Sequence, residues 1–271
     1  MTTRLLTTRL PDYPTTRLLD YPTTDYPTTR LLTTRLLDYS TNDYMTYPCL
    51  ICGAELIELA DETPARCSYC GQMQPVYYLC PNGHAVCDDC QAAEQPELIR
   101  RVCAGTQETD PIAIANLIMG HPGFVMHGPY HHQLVAPVAL TALANRGAIE
   151  FRPQRLEAVM RRTADIPLGV CGTRGACGAA EGVGVVLSVL TGASYLKDSE
   201  RSLALRGTAE ALLAVAAAGG PRCCKQSVYL TFETLSRLLA TELGLDLPVT
   251  VRCAFAARNP ECKGPRCAYY R

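Results

Sequence analysis

CLICG at 49–53, CSYCG at 67–71, CPNGH at 80–84 and CDDC at 87–90 decide how this chain is read. They set out Cys49/Cys52, Cys67/Cys70, Cys80/His84 and Cys87/Cys90 as four close pairs of metal-ligand residues. Zn2+ takes four N/S ligands in a tetrahedron, and a pair on one tight turn supplies two of them at little ordering cost, so four pairs predict two zinc ions. Gly53 and Gly71 follow two of the knuckles, where a residue free to take positive φ turns backbone N–H groups toward the thiolates. Disulfides and unliganded cysteines are the alternatives, and the regular spacing favours metal. Spacing leaves the pairing open. Neighbouring pairs would build ribbon-like sites in series, and alternate pairs would build a cross-braced module.

Outward from this module, bulk composition narrows the class. The chain has 15 Cys in 271 residues, no Trp, and a formal charge of -1. Such cysteine density in a short secreted domain would mean disulfides, but the first residues carry Arg and Thr rather than an apolar signal core. The thiols are therefore expected to be metal ligands in a reducing cytoplasm. An apolar content of 48% suffices for a buried core, and the longest apolar run near Leu212–Gly219 is too short to span a bilayer, which predicts a soluble protein without a membrane contact. Near-neutral charge argues against a nucleic-acid partner, although Arg100/Arg101 and Arg161/Arg162 offer local basic patches.

Residues 1–44 are assembled from the phrases TTRLL, DYP or DYS, and TTDYP, without lasting helical or strand periodicity. They predict a disordered, low-complexity tail that builds no core. The phrases are what an eight-nucleotide DNA repeat encodes when translation runs through its three frames, which places the functional start at Met45.

The expected organisation is mainly α: the repeat tail, a two-zinc ribbon- or cross-brace-like module over 45–92, a polar connector over 93–109, and a helical Cys/His-rich metal domain over 110–271. Asp110-Pro111 is a helix start signal. Apolar residues at three-to-four spacing predict helices over 111–119, 132–146, 153–164, 178–192, 204–218 and 226–243, and alternation predicts one strand from Leu247 to Phe255.

In the helical domain the remaining cysteines and histidines stand at loops before helices. Cys171 and Cys177 lie in a glycine-rich loop, and Cys223 and Cys224 follow Gly219-Gly220-Pro221-Arg222. Helix starts offer unpaired N–H groups and a dipole that lower thiolate pKa and favour an anion. If the loops converge, these four thiolates would hold an iron–sulfur cluster of the [4Fe–4S] type, with a zinc site or a redox dithiol as alternatives. Arg174, Arg222 or Lys225 would orient an anionic small molecule. His127 and His131, with His132 next, belong to a run of four histidines in His121–His132 and are the candidate proton donors. Cys253, Cys262 and Cys267 read as a metal-stapled end lacking a local fourth ligand, for which Cys103 or a histidine is available. No P-loop or dinucleotide-binding pattern surrounds Gly172–Gly184.

The order of these phrases, from the paired C-x-x-C-G knuckles through Met126-His127-Gly128-Pro129, Cys171/Cys177 and Gly220-Pro221-Arg222-Cys223-Cys224-Lys225 to the C-x8-C-x4-C tail, resembles a cysteine-rich domain family of unknown function from anaerobic archaea and bacteria. Its members stand alone or are fused to radical-SAM or S-adenosylmethionine methyltransferase domains. The resemblance covers 45–271 and implies a shared fold and Cys/His site, and a radical-SAM or methyltransferase protein as partner. Gln91 and Ala268 depart from the pattern without removing a ligand. The chain has no radical-SAM C-x3-C-x2-C triplet and no S-adenosylmethionine-binding loop of its own. The functional expectation is a metalloprotein acting in redox, sulfur-transfer or lyase-type chemistry on an anionic small molecule. The alternatives are a non-catalytic accessory module for such a partner and a zinc-ribbon nucleic-acid-binding protein.

Overall fold

The computed structural model describes residues 47–270, so the expectations for residues 1–44 and for a start at Met45 lie outside the described residues. The metal knuckles are strung along a two-stranded antiparallel hairpin. Strands β1 (Ile57–Arg66) and β2 (Met73–Leu79) pair from Arg66↔Met73 to Ile57↔Leu79, with an irregularity between Glu58 and Thr63. Both strands are largely exposed, since sequences such as Ile57–Arg66 offer few apolar side chains to either face. The hairpin carries Cys67/Cys70 at its closed end, while Cys49/Cys52 precede it and Cys80/His84 follow it. Helix α1 (Asp88–Gln91) then begins immediately after Cys87.

Nine helices are present among the described residues. The stretch expected as a polar connector is instead helix α2 (Gln95–Gly105), opened by a proline in its first turn, with Leu98, Ile99, Val102 and Cys103 buried. Its apolar residues recur at one- and four-residue intervals, which puts them on one face. Its polar face is tied down by Arg100, which donates to Glu157 at 2.8 Å and to Glu97 at 2.7 Å, and by Arg101, which pairs with Asp89 and Glu97. These arginines are therefore neutralised and do not form a free basic patch.

Helix α3 (Pro111–Gly120) starts as expected, with the Asp110 carboxylate accepting the Ile112 N–H at 2.8 Å. Helix α4 (Tyr130–Asn145) is buried continuously from His131 to Leu143, and a helix with no polar face belongs in the interior. It packs against α2, α3, α5 (Pro153–Ala164), α7 (Gly178–Thr191) and α9 (Cys224–Leu238), and the four-residue α6 (Val170–Thr173) precedes α7. Helix α8 (Ser199–Ala217) lies along α7 and α9, burying Gly207 and Ala211. The expected 226–243 helix is α9 followed by a wider π turn over Leu239–Leu243.

The expected strand Leu247–Phe255 does not form. Residues 247–253 have no regular secondary structure and pair with no strand among the described residues; Leu247 and Phe255 are buried, and the positions between them alternate between half-buried and exposed. Asn116 holds this segment by donating to the Arg252 carbonyl at 3.0 Å.

Metal-binding knuckles and a thiol-lined cavity

The knuckles interleave. Cys49, Cys52, Cys80 and His84 form one group and Cys67, Cys70, Cys87 and Cys90 the other, each with its ligand atoms within 4.8 Å of one another. The alternate pairs therefore combine, which is the cross-braced arrangement. Within the groups, Cys52 and Cys80 sulfurs lie 3.5 Å apart, Cys70 and Cys87 sulfurs 3.7 Å, and His84 Nδ1 lies 3.6 Å from Cys80 and 3.7 Å from Cys49. Tetrahedral bonds of about 2.3 Å give ligand–ligand edges of about 3.8 Å, so the donors already stand at the corners that one ion requires. Gly53 and Gly71 take the expected positive φ, 74° and 72°, but their N–H groups close the turns on the Cys49 and Cys67 carbonyls rather than pointing at the thiolates.

Around the sulfurs lie N–H donors. Asn82 donates its side-chain amide to Cys52 and its backbone N–H to Cys80, and the Cys87 N–H points at Cys67, each at 3.4 Å. The Asn82 side-chain bond, with backbone support, holds the Cys52 thiol down at about 6. Burial pushes Cys67 up, but the backbone donors outweigh it and leave the thiol at about 7. Burial of Cys90 pushes its thiol upward, so this ligand would give up its proton only to a bound cation.

The two groups differ in setting. All four ligands of the second group are buried, and they belong to the same apolar core as Leu98, Val102, Ile118 and Val138. Tyr69, 1% exposed, meets the His121 ring edge-on at 5.3 Å. Gly105, the last residue of α2, lets the Cys70 knuckle approach: a Cβ there would fall 1.8 Å from the Cys70 carbonyl oxygen. The first group is partly exposed, with Cys52 open to solvent.

In the helical part, Cys171, Cys177, Cys223 and Cys224 line one cavity of about 350 Å3, together with His131, His132 and Arg222. Three separate segments bring them there: α6 carries Cys171, Cys177 precedes α7, and Cys223-Cys224 open α9. Gly178 lets α7 start against α4, since a Cβ there would lie 2.3 Å from His132 Cγ. His132 has a buried Nδ1 with no hydrogen-bond partner among the described residues. The expectation that helix starts lower these thiols fails at Cys223 and Cys224, where burial pushes both upward against the backbone donors.

Cys253, Cys262 and Cys267 line a separate, mostly apolar pocket with Lys225, Tyr229, Phe255 and Tyr269. Cys223 joins them there, so it stands in the wall between the two spaces, along with Gln226 and Lys263. Cys103, an expected fourth donor, is instead enclosed between α2 and α4, and burial raises its thiol to about 12. Among the described residues, only the two N-terminal groups draw three or more ligand atoms within 4.8 Å.

The other expected site residues spread around this wall. His131 lines the cavity with Nε2 3.1 Å from Lys225 Nζ, while its Nδ1–H donates to the Gly128 carbonyl at 3.2 Å. Lys225 also donates to the Met126 carbonyl at 2.7 Å, and burial lowers its pKa to about 8. His127 lies behind the helix start: its Nδ1 accepts the Cys224 N–H at 3.4 Å and its Nε2–H donates to Asn259 at 3.1 Å. Burial lowers the pKa of His127, His131 and His132. Arg174 is exposed and lines neither space. Asn259, Gln226 and Lys263 were missed by the sequence reading, because single polar residues in an irregular tail carry no spacing signal.

The fold and the two Cys/His groups define a mainly helical protein with metal-binding clusters. The chain belongs to DUF5714, a family of unknown function whose model matches residues 99–270. The first three knuckle pairs and Cys87/Cys90 all lie before that match. No curated protein and no solved structure matches the chain.

Proposed function

We propose that the chain is a cytoplasmic metalloprotein in which two Zn2+ ions brace the N-terminal knuckles and the cavity thiols carry out redox, sulfur-transfer or lyase-type chemistry on an anionic small molecule. The observation that carries this reading is the convergence of Cys171, Cys177 and Cys224 with Arg222, His131 and His132 on one cavity. Cys171 is exposed and Cys224 half-buried at this cavity, so these thiols are reachable from it rather than packed away. Arg222 lines the cavity with its guanidinium 3.4 Å from Glu261, a carboxylate that an anionic guest would displace, and the buried, neutral His131 and His132 form part of the wall. Fifteen free cysteines suit a reducing compartment, and no described helix is long and apolar enough to cross a membrane.

The test is protection from alkylation. With zinc bound, small anions such as phosphate, thiosulfate and a dicarboxylate are added while iodoacetamide labelling of Cys171, Cys177 and Cys224 is followed by peptide mass spectrometry. At least one anion should slow labelling at all three, and Arg222→Gln should abolish the protection. Equal labelling rates with every anion would remove the anionic substrate from this reading.

An accessory role beside a radical-SAM or methyltransferase protein is supported by the apolar side chains exposed on and before α8, with Tyr195 86% and Leu196 81% accessible and Leu205 and Leu213 also open. Replacing Leu205 and Leu213 by Glu would break co-purification with such a partner, and unchanged co-purification would count against that role.

A further inference from the structure

We propose that Cys223, Cys253, Cys262 and Cys267 form a four-thiolate site for an iron–sulfur cluster of the [4Fe–4S] class, distinct from the cavity in which Cys171, Cys177 and Cys224 work. The adjacent Cys223 and Cys224 thereby serve different sites. Cys224 faces only the open cavity, whereas Cys223 lines the apolar pocket in which the three tail cysteines converge. This supplies, from the start of α9, the ligand that the tail lacks locally.

Three observations favour a cluster over a single ion or a packed tail. The four thiols share a pocket without closing to the 4.8 Å that marks the two mononuclear groups. A cubane presents its irons at separate corners, so its thiolates stand further apart than those around one Zn2+.

N–H donors surround the sulfurs. Gln226 Nε2 donates to Cys267 and the Gly264 N–H to Cys262, both at 3.4 Å, while Asn259 Nδ2 lies 3.8 Å from Cys223. Hydrogen bonds to ligand sulfur and exclusion of solvent are the means by which proteins hold such clusters. Tyr229, Phe255 and Tyr269 provide the exclusion.

The third observation concerns charge. Two of the chain's three lysines, Lys225 at 1% exposure and Lys263 at 9%, line this pocket. Neither forms an ion pair with a carboxylate among the described residues; their Nζ atoms reach Met126, His131, Gly219 and Gln226 instead. Buried ammonium groups require a counter-charge. An oxidised [4Fe–4S] core with four thiolates carries a net charge of about −2, which matches the two lysines.

The test is iron, zinc and acid-labile sulfide content, with electron paramagnetic resonance of the reduced sample, on the full chain after anaerobic reconstitution with iron and sulfide. Wild type should contain about two zinc, four iron and four sulfide. Cys253→Ala, Cys262→Ala, Cys267→Ala and Cys223→Ser should each lose the iron, sulfide and resonance while retaining both zinc ions and wild-type circular dichroism. Cys171→Ala, Cys177→Ala and Cys224→Ala should retain the cluster. All four proposed ligands are only partly buried, and circular dichroism of each variant separates loss of the cluster from loss of the fold. A third zinc with no sulfide overturns the proposal, as does a cluster that survives Cys253→Ala and Cys262→Ala but is lost with Cys171→Ala or Cys177→Ala. Anion protection of the cavity thiols is read separately, so the two readings can fail independently.

Discussion

Lys225 Nζ lies 3.1 Å from Nε2 of His131, and both side chains are buried almost completely. This fixes His131 as the Nδ1–H tautomer, because Nδ1 donates to Gly128 and Nε2 must accept. Lys225→Met leaves His131 Nε2 and the Met126 carbonyl without their donor, and an orphaned buried acceptor costs about 1–3 kcal/mol. Thermal melts of the zinc-loaded chain should fall by several degrees. Without an iron–sulfur cluster beside it, the lysine pKa drops from 10.5 unfolded to about 8 folded, so the unfolded chain binds more protons between those values and the stability of the cluster-free wild type should rise with pH across that window. The variant should lack that rise in denaturant titrations at successive pH values.

The two N-terminal metal-ligand groups, loaded with zinc, should respond differently to loss of a ligand. Cys90→Ala removes a ligand whose site is embedded in the common core, and the expected result is loss of one zinc and of cooperative unfolding, or at least about 3–5 kcal/mol. Cys52→Ala opens the exposed group and should also release one zinc, but leave the helical transition nearly unchanged. Zinc content combined with circular dichroism melts separates these outcomes.

Gly178→Ala places a methyl group 2.3 Å from His132 Cγ, so α7 and α4 must separate or His132 must move. Overpacking of this kind costs about 1–3 kcal/mol. Because α7 carries Cys177 to the cavity, the variant should also label faster with iodoacetamide at Cys177, and unchanged stability and labelling would show that this approach does not shape the site.

Acid should destabilise the fold before it strips zinc. Desolvation lowers the pKa of His121, His127, His131 and His132 below the ordinary 6.5, so the folded chain holds them neutral while the unfolded chain protonates them. Stability is full above about pH 6.5 and declines as pH falls below it, by at most about 1.4 kcal/mol per unit for each histidine. Melts between pH 7 and 5.5, with zinc measured at every point, should show a slope that becomes shallower in His132→Gln.

The sequence made the ligands of the N-terminal module legible because each pair lies on one turn, but not their pairing, since the pairs are similarly spaced and either combination closes two tetrahedra. Helix α5 and the start of α3 at Asp110 were legible from periodicity and capping. Helix α2 was obscured by its charged face, although Leu98, Ile99, Val102 and Cys103 already lie on one side. Leu247–Phe255 misled in the opposite direction: alternation reports an extended chain with one buried side, and only a partner strand would make it a sheet. The gathering of Cys223 with Cys253, Cys262 and Cys267 depends on a tail without regular structure, which no periodicity encodes.

The interleaving of the knuckles also orders biosynthesis. A nascent chain that has presented Cys49, Cys52, Cys67 and Cys70 holds half of each site and completes neither. The first site closes only after His84 emerges and the second after Cys90, six residues later in the numbering. No cut between Cys70 and Cys80 yields a fragment with a whole centre. An ion that takes a full ligand set can therefore bind only once residues 84–90 have emerged, just before the ribosome begins to deliver the helices whose core the second group joins.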